Sequence, residues 1–99
     1  MTTDTRKVYE NALATLSDDM AAVELFDGNK SFVDAIKTAD AIAPEALLIS
    51  RVYAHQTAAY KDERDMWDDL SQYRYESLKV LEREIVPKAK EVLKAALAA

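Results

Sequence analysis

Apolar positions recur along the first quarter of the chain at helical intervals. Tyr9, Leu13, Leu16, Met20 and Val23 step by four, three, four and three, which places them on one stripe of an α-helix. The pattern predicts a first helix from about Thr5 to Phe26. Asp27-Gly28-Asn29 ends it, because Gly accepts the left-handed backbone that closes a helix. Ser31 then reads as an N-cap with Asp34 at the third helical position, a short-armed capping box. The second predicted helix, about 32–42, buries Phe32 or Val33, Ile36, Ala39 and Ala43.

Pro44 suits the first turn of a third helix, where its missing N–H is not needed. From there to Val86 the chain has no Gly, no Pro and no cluster of turn residues. The stripe Ile49, Val52, Gln56, Ala59, Glu63, Met66, Leu70, Tyr73, Ser77, Val80 keeps the three-and-four spacing. A second row, Tyr53, Tyr60, Trp67, Arg74, Leu81, runs beside it at intervals of seven. One unbroken helix of roughly 60 Å is the simplest reading, against roughly 33 and 17 Å for the first two helices. Its stripe outruns the helices available to cover it, so dimerisation is expected. The alternative is a break within 61–65, where the apolar pattern is thinnest and Asp62 or Asp65 could cap a new helix. Pro87 bends or restarts the chain, and the Ala-rich end forms a short last helix.

Composition agrees with an all-α fold: a small helical bundle in one domain, residues 1–99, with a short helical hairpin packed on a long third helix. One Gly and two Pro in 99 residues leave few turns for a sheet. There is no Cys, hence no disulfide, no thiolate nucleophile and no Cys-based zinc site. The N-terminal sequence lacks the layout of a signal peptide and no apolar run reaches membrane-spanning length. These features suggest a cytoplasmic protein without a membrane partner.

Net charge is −5, and residues 1–50 hold nine acids and four bases while 51–99 hold nine of each. An acidic front half disfavours direct nucleic-acid binding, which depends on Lys and Arg at phosphates. Imitation of nucleic acid remains open, with Asp18, Asp19, Glu24, Asp27, Asp34 and Asp40 as its carboxylates and Asp62, Asp65 and Asp69 added by the third helix.

The densest chemistry lies in Lys61–Leu70, with five carboxylates, two bases and the only Trp. On a helix, Lys61 reaches Asp65 and Arg64 reaches Asp68, weak pairs of a few tenths of a kcal/mol. A self-paired wet face explains most of the segment. A docking patch anchored on Trp67 is the sharper reading, since buried Trp dominates many interfaces. Asp62, Asp65 and Asp69 share a row, but carboxylates alone hold Mg²⁺ or Ca²⁺ weakly. Glu63 interrupts the apolar stripe as an edge carboxylate or a buried register pin.

His55 is the sole His, so a di-iron bundle site, which needs two Glu-x-x-His pairs, is absent. Nothing near it in sequence supplies the Ser and carboxylate of a nucleophilic triad, and it reads as a surface or interface residue. The five tyrosines read as core and flank packing, with a groove at Tyr53, Tyr60 and Trp67 as the functional alternative. One Gly cannot build a phosphate loop. No catalytic residue, metal ligand or cofactor site is therefore expected. The reading is a non-catalytic interaction or adaptor module, a homodimer through the long helix. Its partner-binding residues are Tyr53, Tyr60, Trp67, Asp62, Asp65 and Asp69. The alternative is an acidic inhibitor that mimics nucleic acid toward a basic nucleic-acid-binding protein.

Overall fold

The structure, a computed structural model, describes the backbone of residues 1–60 and 67–99 and the side chains of residues 1–56 and 74–99. Every regular element among the described residues is helical. Helix α1, Thr3–Leu16, begins at Thr2, whose hydroxyl oxygen accepts from the Thr5 amide at 3.1 Å. It stops at Leu16 instead of continuing to Phe26. The Ser17 hydroxyl donates to the Leu13 carbonyl at 2.7 Å, and Asp18 Oδ1 accepts from the Met20 amide at 2.7 Å. Both side chains capture backbone groups locally and favour a turn over another helical turn. Met20, expected on the apolar stripe, is consequently exposed, whereas Leu16 is buried and Tyr9 and Leu13 pack on the core.

Helix α2, Ala21–Phe26, ends as expected at Asp27-Gly28, with Gly28 at φ +79°. Helix α3, Lys30–Ile42, is capped by Asn29, whose side-chain oxygen accepts from the Ser31 amide at 3.1 Å. Ser31 is thus the capped residue and not the cap, and Asp34 lies 3.8 Å from Lys30. The core face expected of this helix is correct, with Val33, Ile36 and Ala39 buried. Pro44 opens a single 3₁₀ turn, Pro44–Ala46, and Leu47 at φ +53° turns the chain into α4, Leu48–Tyr60.

The unbroken helix from 44 to 86 is not what forms. His55 on α4 lies 3.1 Å from Ser77 on α5, Trp67–Val80, and Arg51 lies 3.4 Å from Glu84. On one straight helix these pairs would stand about 33 and 50 Å apart. Helices α4 and α5 therefore lie side by side and antiparallel. The hairpin brings Leu48 and Val52 into one cluster with Leu81, all at 0% exposure. A single helix would have left that surface wet, which is why folding back wins. The break weighed within 61–65, and Glu63 and Met66, lie outside the described residues.

A long helix does form, but later in the chain. Helix α5 runs through a π turn, Leu81–Ile85, into α6, Val86–Ala98, about 48 Å of continuous helical backbone. Its most deeply buried positions, Ser77, Leu81, Ile85, Ala89 and Leu93, recur every four residues, with Val86 and Val92 buried beside them. At 3.6 residues per turn such a row drifts by about 40° per step. The wider turn, in which the Val86 amide donates to the Leu81 carbonyl, takes back part of that drift. It also admits Pro87 in the first turn of α6, where the ordinary hydrogen-bond ladder is already interrupted.

Helices α1, α3 and α6 form the body of the bundle, and α2, α4 and the π turn close its other end around one continuous core. Arg74 ties α5 to α2, its guanidinium 4.8 Å from the Phe26 ring centroid and 3.4 Å from Asp27.

Candidate interaction surface

Helix α4 is chemically unlike the others. Its thirteen residues include one charged side chain, Arg51. Leu48 and Val52 face the core, and the Gln56 amide donates to the Leu25 carbonyl. The opposite side exposes Leu47, Ser50, Tyr53 and Ala54, spaced three and four apart on one face. Elsewhere the outer faces are charged, with Arg6–Glu10 on α1 at 3.1 Å, Lys30–Asp34 on α3 at 3.8 Å and Lys88–Glu91 on α6 at 3.6 Å. A helix with little charge on either face suits burial on both sides.

Leu47 sharpens the contrast. Its left-handed backbone costs a bulky residue roughly 1–2 kcal/mol, yet its side chain is 58% exposed. At that exposure, burial of the side chain offsets little of the strain. Leu47→Asn should raise stability by up to about 1 kcal/mol in urea unfolding, because Asn tolerates this conformation.

Among the described residues, two polar contacts hold α4 against the long helix: the Arg51–Glu84 ion pair at 3.4 Å and the His55 Nδ1–Ser77 Oγ hydrogen bond at 3.1 Å. Burial and then Arg51 push the His55 pKa below its ordinary 6.5, while Glu84 pulls it upward. The sequence offered His55 no serine or carboxylate; the hairpin supplies both from residues far along the chain. They do not make a nucleophile, because Ser77 is 2% exposed and closed to substrate.

Of the residues proposed for partner binding, Tyr53 lies on the outer face of α4 at 43% exposure. Tyr60 is the last residue of α4 and Trp67 the first of α5, so both belong to the same end of the hairpin. Asp69 follows in the first turn of α5. The side chains of Tyr60, Trp67 and Asp69, and Asp62 and Asp65 altogether, lie outside the described residues. Tyr75 is exposed beneath the Lys79 ammonium, 4.1 Å from its ring centroid.

Five of the nine carboxylates considered for nucleic-acid mimicry are engaged within the chain, while Asp62, Asp65 and the side chain of Asp69 lie outside the described residues. Asp18 caps Met20, Glu24 accepts from Asn29 at 2.9 Å, Asp27 pairs with Arg74, Asp34 with Lys30, and Asp40 accepts from the Ile49 amide at 3.4 Å. An open cleft of about 530 Å³ sets Asp18 and Asp19 of the α1–α2 turn against Glu82, Lys90, Glu91 and Lys94 of the long helix. Sequence reasoning missed it because its walls come from opposite ends of the chain.

Among the described residues no three His, Asp or Glu side chains converge to hold a metal ion, and no helix is long and apolar enough to cross a membrane. Compared with protein-family models, with curated proteins and with solved structures, the chain matches none.

Proposed function

We propose that this protein is a non-catalytic docking module that pairs with a second copy of itself through the outer face of α4. The carrying observation is that face: Ser50, Tyr53 and Ala54 exposed on a helix whose one charge, Arg51, is engaged by Glu84, with exposed Leu47 immediately before it. Two such faces meeting across a two-fold axis bring no like charges together, whereas pairing through α1, α3 or α6 would. The long uncovered stripe that would call for a dimer does not form, since α4 and α5 cover one another. What remains is smaller. A helix about 20 Å long and 10 Å wide offers a few hundred Å², well below the ~800 Å² per partner of a standard interface. Pairing should accordingly be micromolar or weaker. A cytoplasmic setting belongs to the same proposal, in keeping with a chain that has no cysteine.

Sedimentation equilibrium over a concentration series tests the reading. The apparent mass should rise from 11.1 kDa toward twice that value. It should do so alike at about 0.1 M and about 1 M salt, over which the screening length falls from ~10 to ~3 Å. A mass fixed at the monomer value would sink self-pairing. Association lost at high salt would place the contact on the charged faces instead.

A further inference from the structure

We propose that His55 is a pH-sensitive latch: its neutral ring fastens α4 to α5 through Ser77, and its protonation loosens α4 from the long helix. The geometry places the sole imidazole of the chain at the seam of the hairpin, half-buried, with Nδ1 3.1 Å from a serine oxygen that is itself 2% exposed. Among the described residues, two charged groups act on the ring, Arg51 one turn earlier on its own helix and Glu84 on the π turn. The described contact from α5 is the uncharged Ser77, and α2 is fastened to α4 through the Leu25 carbonyl, which accepts from Gln56.

Protonation leaves the serine oxygen able to accept a hydrogen bond, so the contact is not abolished outright. The cation is nevertheless held partly out of water and beside the Arg51 guanidinium. Glu84 must then divide itself between two cations, which weakens the Arg51–Glu84 pair that fastens the other end of the same seam. Burial and Arg51 together outweigh Glu84, so the ring prefers to be neutral in the folded hairpin.

The direction follows from linkage. With the folded pKa below 6.5, the unfolded or opened state binds the proton more readily in the window between the two values. The stabilisation is complete above pH 6.5 and is lost as pH falls through the folded pKa. Its consequence for docking rests on α4 being the interaction element; the latch itself does not.

Hydrogen exchange of the α4 amides, corrected for intrinsic rates and referenced to the amides of α6, tests it on the full chain. From pH 7.5 to 5.5, opening of α4 should increase by up to about tenfold for each unit by which the folded pKa lies below the unfolded one. His55→Gln, a neutral side chain that still donates and accepts, should abolish the pH dependence. The same pH dependence in His55→Gln, or none in the wild type, would overturn the latch. Should His55→Gln fail to fold, the NMR titration of the wild-type ring decides: a midpoint below 6.5 sustains the proposal, and one at or above 6.5 overturns it. Exchange is followed below the concentration at which copies pair, so that pairing does not protect the α4 amides, and failure of the latch and failure of the docking surface are separable.

Discussion

Leu81→Ala is expected to destabilise the protein by about 2–5 kcal/mol, the range for deleting a fully buried leucine side chain. A 99-residue domain has roughly 5–15 kcal/mol in all, so the variant approaches the unfolding threshold. The reason is position. Leu81 has no exposure, opens the π turn, and belongs to the cluster formed by Leu48 and Val52 of α4, Leu25 and Phe26 of α2, and Ile85. Truncation leaves a cavity where three helical segments converge, and the rigid turn beneath cannot collapse to fill it. Val80→Ala, one residue earlier and half-buried, should cost under about 1.5 kcal/mol. Urea unfolding of both variants separates the two accounts of this helix face, because the seven-residue row puts Leu81 on the flank and the observed packing puts it at the centre.

That difference marks where sequence reasoning succeeded and failed. Helix α3 was legible because its apolar face, its preceding Gly and its capping residues are all local. The end of α1 was legible in principle: Ser17-Asp18-Asp19 is a turn signal, but a stripe at three-and-four spacing ran across it and won. The α4–α5 hairpin could not be read from periodicity. Both helices carry the same spacing in phase, and such a pattern fits one long helix as well as two that fold back on each other. What separates them is the energy of covering Leu48 and Val52, which depends on Leu81, a residue distant in sequence. The four-residue recurrence of Ser77, Leu81, Ile85, Ala89 and Leu93 was a usable signal for the π turn, since an undistorted helix cannot keep it on one face. The His55–Ser77 contact had no local signal at all. For the candidate surface, the seven-residue row set Tyr53 beside the apolar stripe, whereas the structure exposes it on the outer face of α4. It could not show that Leu47 and Ser50 share the face, because those residues preceded the row.

Tyr53→Asp should weaken self-association by roughly 30-fold or more while changing stability by less than about 0.5 kcal/mol. The aromatic ring is 43% exposed and, among the described residues, lies outside the core cluster, so its removal leaves the fold intact. In a two-fold pair, however, the substitution acts twice. It removes two aromatic contacts and introduces two carboxylates into the same desolvated patch, where like charges repel. Association constants from sedimentation, set beside thermal unfolding of the same variant, give both readouts. Unfolding of Tyr53→Asp, or unchanged association, would contradict the assignment of α4's outer face.

The pairing of α4 with α4 is best tested by a single cysteine in a chain that has none. Ser50→Cys places a thiol at the middle of the exposed α4 face, and Ser31→Cys places one on exposed α3 as a control. Under mild oxidation at concentrations where the wild type associates, Ser50→Cys is predicted to form a covalent dimer of twice 11.1 kDa well ahead of Ser31→Cys. Equal rates for the two variants, or a faster reaction at Ser31→Cys, would contradict the account.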